Sequence, residues 1–246
     1  MSADRKGSSW SPVSDIQGNV YFTSDHDGKT DIYSLTSKGK VLRLLSADRQ
    51  GQNWSPAPDG LGNTYFTSDH DGKTDIYVLT AKGKVVRLLS ADRQGQNWSP
   101  APDGRGNVYF TSDHDGKTDI YVLTAKGDVV RLLSADRQGS SWTPVPDGRG
   151  NVYFTSDHDG KTDIYVMTTK GKVVRLLSAD RQGKNWSPVP DGNGNVYFTS
   201  DLNGIPEIYI LNTKGVVHLD VYVIDSSKTS TKSWTGTLEE RYPRGN

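Results

Sequence analysis

Apolar and polar positions alternate along this chain in short runs separated by glycine, proline and aspartate. Residues 90–133 read SADRQGQNWSPAPDGRGNVYFTSDHDGKTDIYVLTAKGDVVRLL, and four stretches there carry the β-branched and aromatic residues of strands. QNWSPA ends at Pro102-Asp103-Gly104, NVYFTS is closed by DHDG, DIYVLT is closed by AKG, and VVRLL is followed by a new SADRQG. These breaks are turn chemistry: glycine supplies positive φ, and aspartate or asparagine folds back onto nearby amides. Val108 and Phe110 point to one face of the second run and Tyr109 to the other, while Val129 and Leu133 oppose Val130 and Leu132 in the fourth. Both faces are apolar, so each small sheet is expected to be covered on both sides. No segment carries the 3.6-residue period of an amphipathic helix.

The pattern repeats. The asparagine of GNVYF or GNTYF stands at 19, 63, 107, 151 and 195, and SADR begins at Ser2, Ser46, Ser90, Ser134 and Ser178, a constant step of 44 residues. Five units therefore span 2–219, and 220–246 does not repeat. The second and third units differ only at Leu61/Arg105, Thr64/Val108 and Lys84/Asp128, which points to recent amplification or to design. Four strands in 44 residues match a propeller blade and are too long for a β-helix coil. The expected fold is all-β: a five-bladed β-propeller of 44-residue four-stranded repeats with a non-repeating C-terminal tail.

WSPAPDG, NVYFTSDHDGKTDIYVL and VVRLL together resemble the PD40 (WD40-like) repeat of TolB-like β-propellers, whose pattern runs W-S-P-D-G, F-x-S-D-x-D-G and D-I-Y-V. The resemblance covers all five units. This chain departs from it by inserting Ala-Pro or Val-Pro within W-S-P-D-G, and by five units where such propellers usually have six blades. The resemblance implies that the SDHDG position is a turn, and that relatives are often periplasmic.

Composition narrows the function classes. Lys and Arg number 29, as do Asp and Glu, so no net field draws the chain to nucleic acid or an anionic membrane. The absence of cysteine removes disulfides and thiolate metal sites. The opening MSADRKGSSWSP has no apolar h-region, so no signal peptide is expected in it, and no apolar run approaches the roughly 18 residues of a membrane helix.

The candidate site is the repeated loop TSDHDGKTDIY, present four times unchanged and degraded to TSDLNGIPEIY in the fifth unit. In a four-stranded meander the loop joining the second and third strands lies at the same end as the link to the next unit, so this loop and SADRQG share a face. Candidate ligand-binding residues are Asp25, His26 and Asp27, then Asp69, His70 and Asp71, then Asp113, His114 and Asp115, then Asp157, His158 and Asp159. The alternative is a purely structural turn, since the fifth unit keeps Asp201 and Gly204 while replacing histidine and lysine by Leu202 and Ile205. Asp25, Asp27 and Asp31 echo a calcium loop but lack its bidentate glutamate, and one histidine per loop does not make a zinc site. No metal or cofactor is expected.

Catalysis is not expected either. There is no G-x-S-x-G elbow, no H-E-x-x-H and no phosphate-binding glycine loop followed by a helix, and near-identical units do not supply distinct acid, base and nucleophile. Trp10, Trp54, Trp98, Trp142 and Trp186 are expected to pack between blades rather than to stack sugars. Arg43, Arg87, Arg131 and Arg175, on the outermost strands, are expected in solvent. The tail, with apolar Val221, Tyr222, Val223 and Ile224, is expected to extend the last blade or close the ring. The function that follows is a monomeric, non-enzymatic, multivalent binding module for a protein or glycan ligand. The alternatives are a scaffold propeller without a specific ligand and an accessory domain of an enzyme.

Overall fold

The computed structural model describes residues 7–45, 50–89, 93–133, 138–177 and 183–212, together with the backbone of 217–219. The tail 220–246 and the SADR stretches, Arg93 excepted, lie outside the described residues. Each repeat forms one four-stranded antiparallel sheet in chain order, and among the described residues there is no helix. Blade 1 holds β1 (Ser9–Ser14), β2 (Val20–Ser24), β3 (Asp31–Leu35) and β4 (Val41–Arg43). Blade 2 holds β5 (Asn53–Pro58), β6 (Thr64–Ser68), β7 (Asp75–Leu79) and β8 (Val85–Arg87). Blade 3 holds β9 (Asn97–Pro102), β10 (Val108–Ser112), β11 (Asp119–Leu123) and β12 (Val129–Arg131). Blade 4 holds β13 (Ser141–Pro146), β14 (Val152–Ser156), β15 (Asp163–Met167) and β16 (Val173–Arg175). Blade 5 holds β17 (Asn185–Pro190), β18 (Val196–Ser200), β19 (Glu207–Leu211) and β20 (Val217–Leu219). The chain divides into two compact units, Met1–Ala135 with blades 1 to 3 and Asp136–Asn246 with blades 4 and 5.

The fourth strand is shorter than its apolar run. VVRLL leaves the ladder after Arg131, although the Leu132 amide still donates to the Ile120 carbonyl at 2.9 Å. The leucine that follows drops into the core. Leu89, beyond β8, joins Ile76 of its own blade and Phe110 and Tyr121 of the next. Ile32, Leu45, Phe66 and Tyr77 repeat the cluster one blade earlier, and Ile164, Leu177, Phe198 and Tyr209 form it in the second unit. Blades 1, 2 and 4 thus each offer an isoleucine to a stacked Phe–Tyr pair on the next blade, with ring centroids 5.7–5.9 Å apart. All five phenylalanines, Phe22, Phe66, Phe110, Phe154 and Phe198, are buried, and Ile208, the fifth isoleucine of the series, is 61% exposed.

The W-S-P motif has a mechanical role. Trp54 pairs with Thr67 and Ala57 with Tyr65, so Ser55 and Pro56 form a bulge opposite Phe66. Ser55 has φ 53°, and Ser11, Ser99, Thr143 and Ser187 repeat the left-handed conformation at 51–55°. Such values are rare for serine and strained for β-branched threonine. The compensation lies across the blade boundary. The Ser55 amide, turned out of its ladder, donates to Thr23 Oγ1 at 3.3 Å, and Ser99 and Ser187 donate likewise to Thr67 and Thr155 at 3.2 Å. The tryptophans beside the bulge are half-buried, except Trp10 at 38% exposure.

Phe110→Ala removes a ring that is 1% exposed and stacked on Tyr121. It should lower unfolding free energy by about 3–5 kcal/mol, read from the denaturation midpoint.

Candidate functional site

The two ends of a blade are built differently. At one end, the loop between the first two strands is a clamp made by one aspartate. Asp59 Oδ1 accepts the Leu61 and Asn63 amides at 2.8 and 3.1 Å, and Asp59 Oδ2 accepts Asn63 Nδ2 at 2.6 Å. Asn63 Oδ1 in turn receives the Ala81 amide from the loop between the third and fourth strands. These bonds hold the backbone and leave the tip side chain out of account.

The other end carries the SDHDG loops. The first aspartate is a staple in all five blades. Asp25, Asp69, Asp113, Asp157 and Asp201 each accept, through Oδ1, the backbone amide of the segment leading into the first strand, at 2.5–2.6 Å. Glycine must stand beside that bond. A Cβ on Gly51 would lie 2.6 Å from both Asp69 Oδ1 and the His70 Cα, and Gly51 has φ 75°.

The histidines lie against the same lead-in segment. His70 Nδ1 is 3.0 Å from the Gln50 carbonyl, His114 Nδ1 is 3.0 Å from Gln94, and His158 Nδ1 is 3.2 Å from Gln138. Their Nε2 atoms face the second aspartate of the loop at 3.4–3.6 Å, and His26 approaches Asp27 to 2.7 Å. Each imidazole also meets edge-on the buried tyrosine of its blade, Tyr33, Tyr77, Tyr121 or Tyr165. The candidate residues of each loop therefore come together within one blade, and among the described residues no group of three could hold a metal ion.

The second aspartate links the exposed loop to the interior. Asp27, Asp71, Asp115 and Asp159 accept those tyrosine hydroxyls at 2.5–2.7 Å, and an arginine Nη1 stands 3.5–3.7 Å away. Asp115 is held below the usual carboxylate range, chiefly by the Tyr121 hydrogen bond and against the desolvation of its site. Arg93, entering blade 3, stacks its guanidinium 5.0 Å from the Tyr121 ring, and its carbonyl accepts from Lys73 of the loop before it.

The arginines expected in solvent are not there. Arg43, Arg87, Arg131 and Arg175 lie on the outermost strands, yet each guanidinium folds back onto a carboxylate that is nearly or wholly buried. In blade 2, Asp75 Oδ2 accepts Arg87 Nε and Nη2 at 2.9 and 2.5 Å. Asp75 Oδ1 accepts the Ile76 amide at 2.8 Å and Asn97 Nδ2, from the next blade, at 3.1 Å. Asp31 with Arg43 and Asn53, and Asp163 with Arg175 and Asn185, repeat the cluster. Desolvation of an arginine on an outer edge is offset here by two charge-assisted bonds to one oxygen. The third aspartate of the calcium-like spacing, Asp31, thus spends both oxygens on protein donors.

A signal for this cluster was present. Aspartate is followed by arginine twelve residues later in four units, and the fifth replaces both at once, with Glu207 and Leu219. Glu207 turns instead to Asn203 Nδ2 and the Tyr209 hydroxyl, at 2.7 and 3.3 Å.

No protein-family model matches the chain, and no curated protein sequence matches it. Solved structures do. A TolB-type protein from Agrobacterium tumefaciens superposes with a TM-score of 0.67 at 20% identity, over 87% of this chain and 80% of that one. TolB from Acinetobacter baumannii gives 0.64 at 21% identity, over 85% of this chain and 53% of that one. A streptogramin B lyase gives 0.60 at 18% identity, over 87% and 69%. These likenesses show the fold: a TolB-like β-propeller, here with five repeated four-stranded blades.

Two outcomes follow from this geometry. Asp75→Asn strips the buried charge that faces Arg87 and should cost about 3–5 kcal/mol, measured by chemical denaturation. Burial, then the bond to the neighbouring aspartate and its charge, raise the pKa values of Tyr33, Tyr77, Tyr121 and Tyr165 well above the ordinary tyrosine range. A raised folded-state value contributes stability below about pH 10, the unfolded tyrosine value, and that contribution is lost as pH rises beyond it. Phenolate absorbance should therefore lag in the native chain, and these four tyrosines should ionise only as it unfolds.

Proposed function

We propose that this chain is a non-enzymatic, multivalent binding module for a protein or glycan ligand, acting as a monomer. The contacts are the His–Asp pairs of the repeated loops: His26 with Asp25 and Asp27, His70 with Asp69 and Asp71, His114 with Asp113 and Asp115, and His158 with Asp157 and Asp159. One observation carries this. The same imidazole and carboxylate recur in four blades, with the second aspartate 42–44% exposed and each histidine side chain 20–32% exposed. Within each pair the first aspartate sets the loop, while the second aspartate and the imidazole edge face the ligand. Equivalent weak sites gain through effective concentration when the ligand is itself repeated or flexible.

Propellers of this fold include TolB, a nidogen/laminin complex, and proteins named as a lyase, a puromycin hydrolase and a gluconolactonase. Fold alone does not choose among these. Binding is favoured over catalysis because four copies of one pair supply one chemistry, whereas a reaction needs distinct groups converging on one atom. A scaffold without a specific ligand is the second possibility. It is favoured by the share of loop atoms already bonded within the blade, the first aspartates above all.

The deciding variant replaces His26, His70, His114 and His158 by leucine, copying Leu202 of blade 5. It is assayed on a glycan array and in pull-downs with wild-type chain alongside. Binding that disappears while the melting temperature holds supports the module. Unfolding of the variant assigns the histidines to structure, and unchanged binding moves the site elsewhere.

A further inference from the structure

Blades 2 and 3 differ at three positions, and two of them meet at one place. A groove of about 400 Å³ lies between the β1–β2 turn and the β5–β6 turn, within the size range of ligand pockets. Blade 1 contributes Asp15, Gln17 and Tyr21, and blade 2 contributes Pro58, Leu61 and Asn63. Leu61 is arginine in blades 3 and 4 and asparagine in blade 5. Thr64, valine at the corresponding position of the other four blades, faces the Tyr21 phenol. Blades 2 and 3 are otherwise almost unchanged copies, and two of their three differences lie at this groove.

Leu61 is 70% exposed, and Ile16, at the corresponding turn of blade 1, is 87% exposed. Neither residue is required by its turn. The clamp bonds the Leu61 amide, and Arg105, Arg149 and Asn193 are held by the same amide-to-aspartate bond at 2.7–2.8 Å. A rigid turn that lifts an aliphatic side chain into water gains free energy when a partner covers it. The rest of the groove is polar. Tyr21 donates to Asp15 Oδ2 at 3.2 Å, and burial together with the Asp15 and Asp59 charges keeps the phenol protonated. The Gln17 side-chain amide makes no hydrogen bond to another described residue, which leaves it a donor and an acceptor for a peptide group. The Asp15 carboxylate in the groove, with the Asp59 charge felt by the same phenol, disfavours an acidic occupant and favours a basic one.

We propose that this groove recognises a peptide segment of a protein partner, with an apolar side chain seated on Leu61, Pro58 and Tyr21 and a basic residue beside it facing Asp15. It lies at the opposite end of the blades from the histidine loops and does not depend on them.

The test uses the full chain, amide-resolved NMR and two probes, N-acetyl-Leu-Lys-amide and N-acetyl-Leu-Glu-amide, with methyl glucoside as a third titrant. The Leu-Lys probe should shift the Gln17 and Leu61 amides saturably, with the Leu-Glu probe about tenfold weaker, a difference of about 1.4 kcal/mol. The double variant Leu61→Arg/Thr64→Val gives blade 2 the side chains of blade 3 at these two positions, and should lose the response. Leu61→Ala should weaken it, and the quadruple histidine variant should keep it. No saturable shift, an equal response to the acidic probe, a stronger response to the glucoside, or retention in the double variant would each overturn the proposal.

Discussion

A carboxylate with no access to water must be met on every side by donors, and Asp75 shows what that demand organises. Its oxygens hold the first peptide group of β7, the guanidinium of β8 and the side-chain amide of Asn97 on the next blade. Arg87 then reaches Asp71, which receives the hydroxyl of Tyr77, which stacks on Phe66. One charge thus sets strand register, draws the outermost strand inward, aims an exposed loop and ties the blade to its successor. An apolar cluster of the same volume could rival it in stability. It would not specify which strand end meets which.

Most of the fold is visible in the residue pattern because turns and strands depend on local chemistry. The step of 44, the Gly and Asp punctuation and the two-faced apolar runs lead directly to five four-stranded sheets. What local pattern does not reveal is where a long side chain ends. An arginine at a strand edge looks solvated until its aspartate, twelve residues earlier, is known to be buried. The W-S-P bulge is hidden for a related reason. Nothing in a serine announces a left-handed φ, because the bond that stabilises it comes from a threonine 32 residues earlier. The tail and most of the linking SADR residues lie outside what the structure describes, so the expectations placed on them stand as they were.

The candidate loops illustrate how one motif serves two purposes. The first aspartate and the glycine do the same work in all five blades, and the fifth blade retains both. Histidine and lysine reach outward to neighbouring chain segments, and those are the positions that changed to Leu202 and Ile205. Residues that shape the loop and residues that lie on its surface are interleaved, so repetition by itself does not separate structure from recognition.

The clamp turns at the other end have a consequence for how such a chain changes over generations. Asp59 and Asn63 grip only main-chain amides and each other around the tip, so the codon at Leu61 is free of the folding constraint that binds its neighbours. Gln17, Leu61, Arg105, Arg149 and Asn193 occupy that position in turn, while the clamp around them does not change. Repetition keeps the framework, and substitution at one position per blade varies the surface while the clamp bonds stay the same. A lineage of such chains can change its surface chemistry one blade at a time.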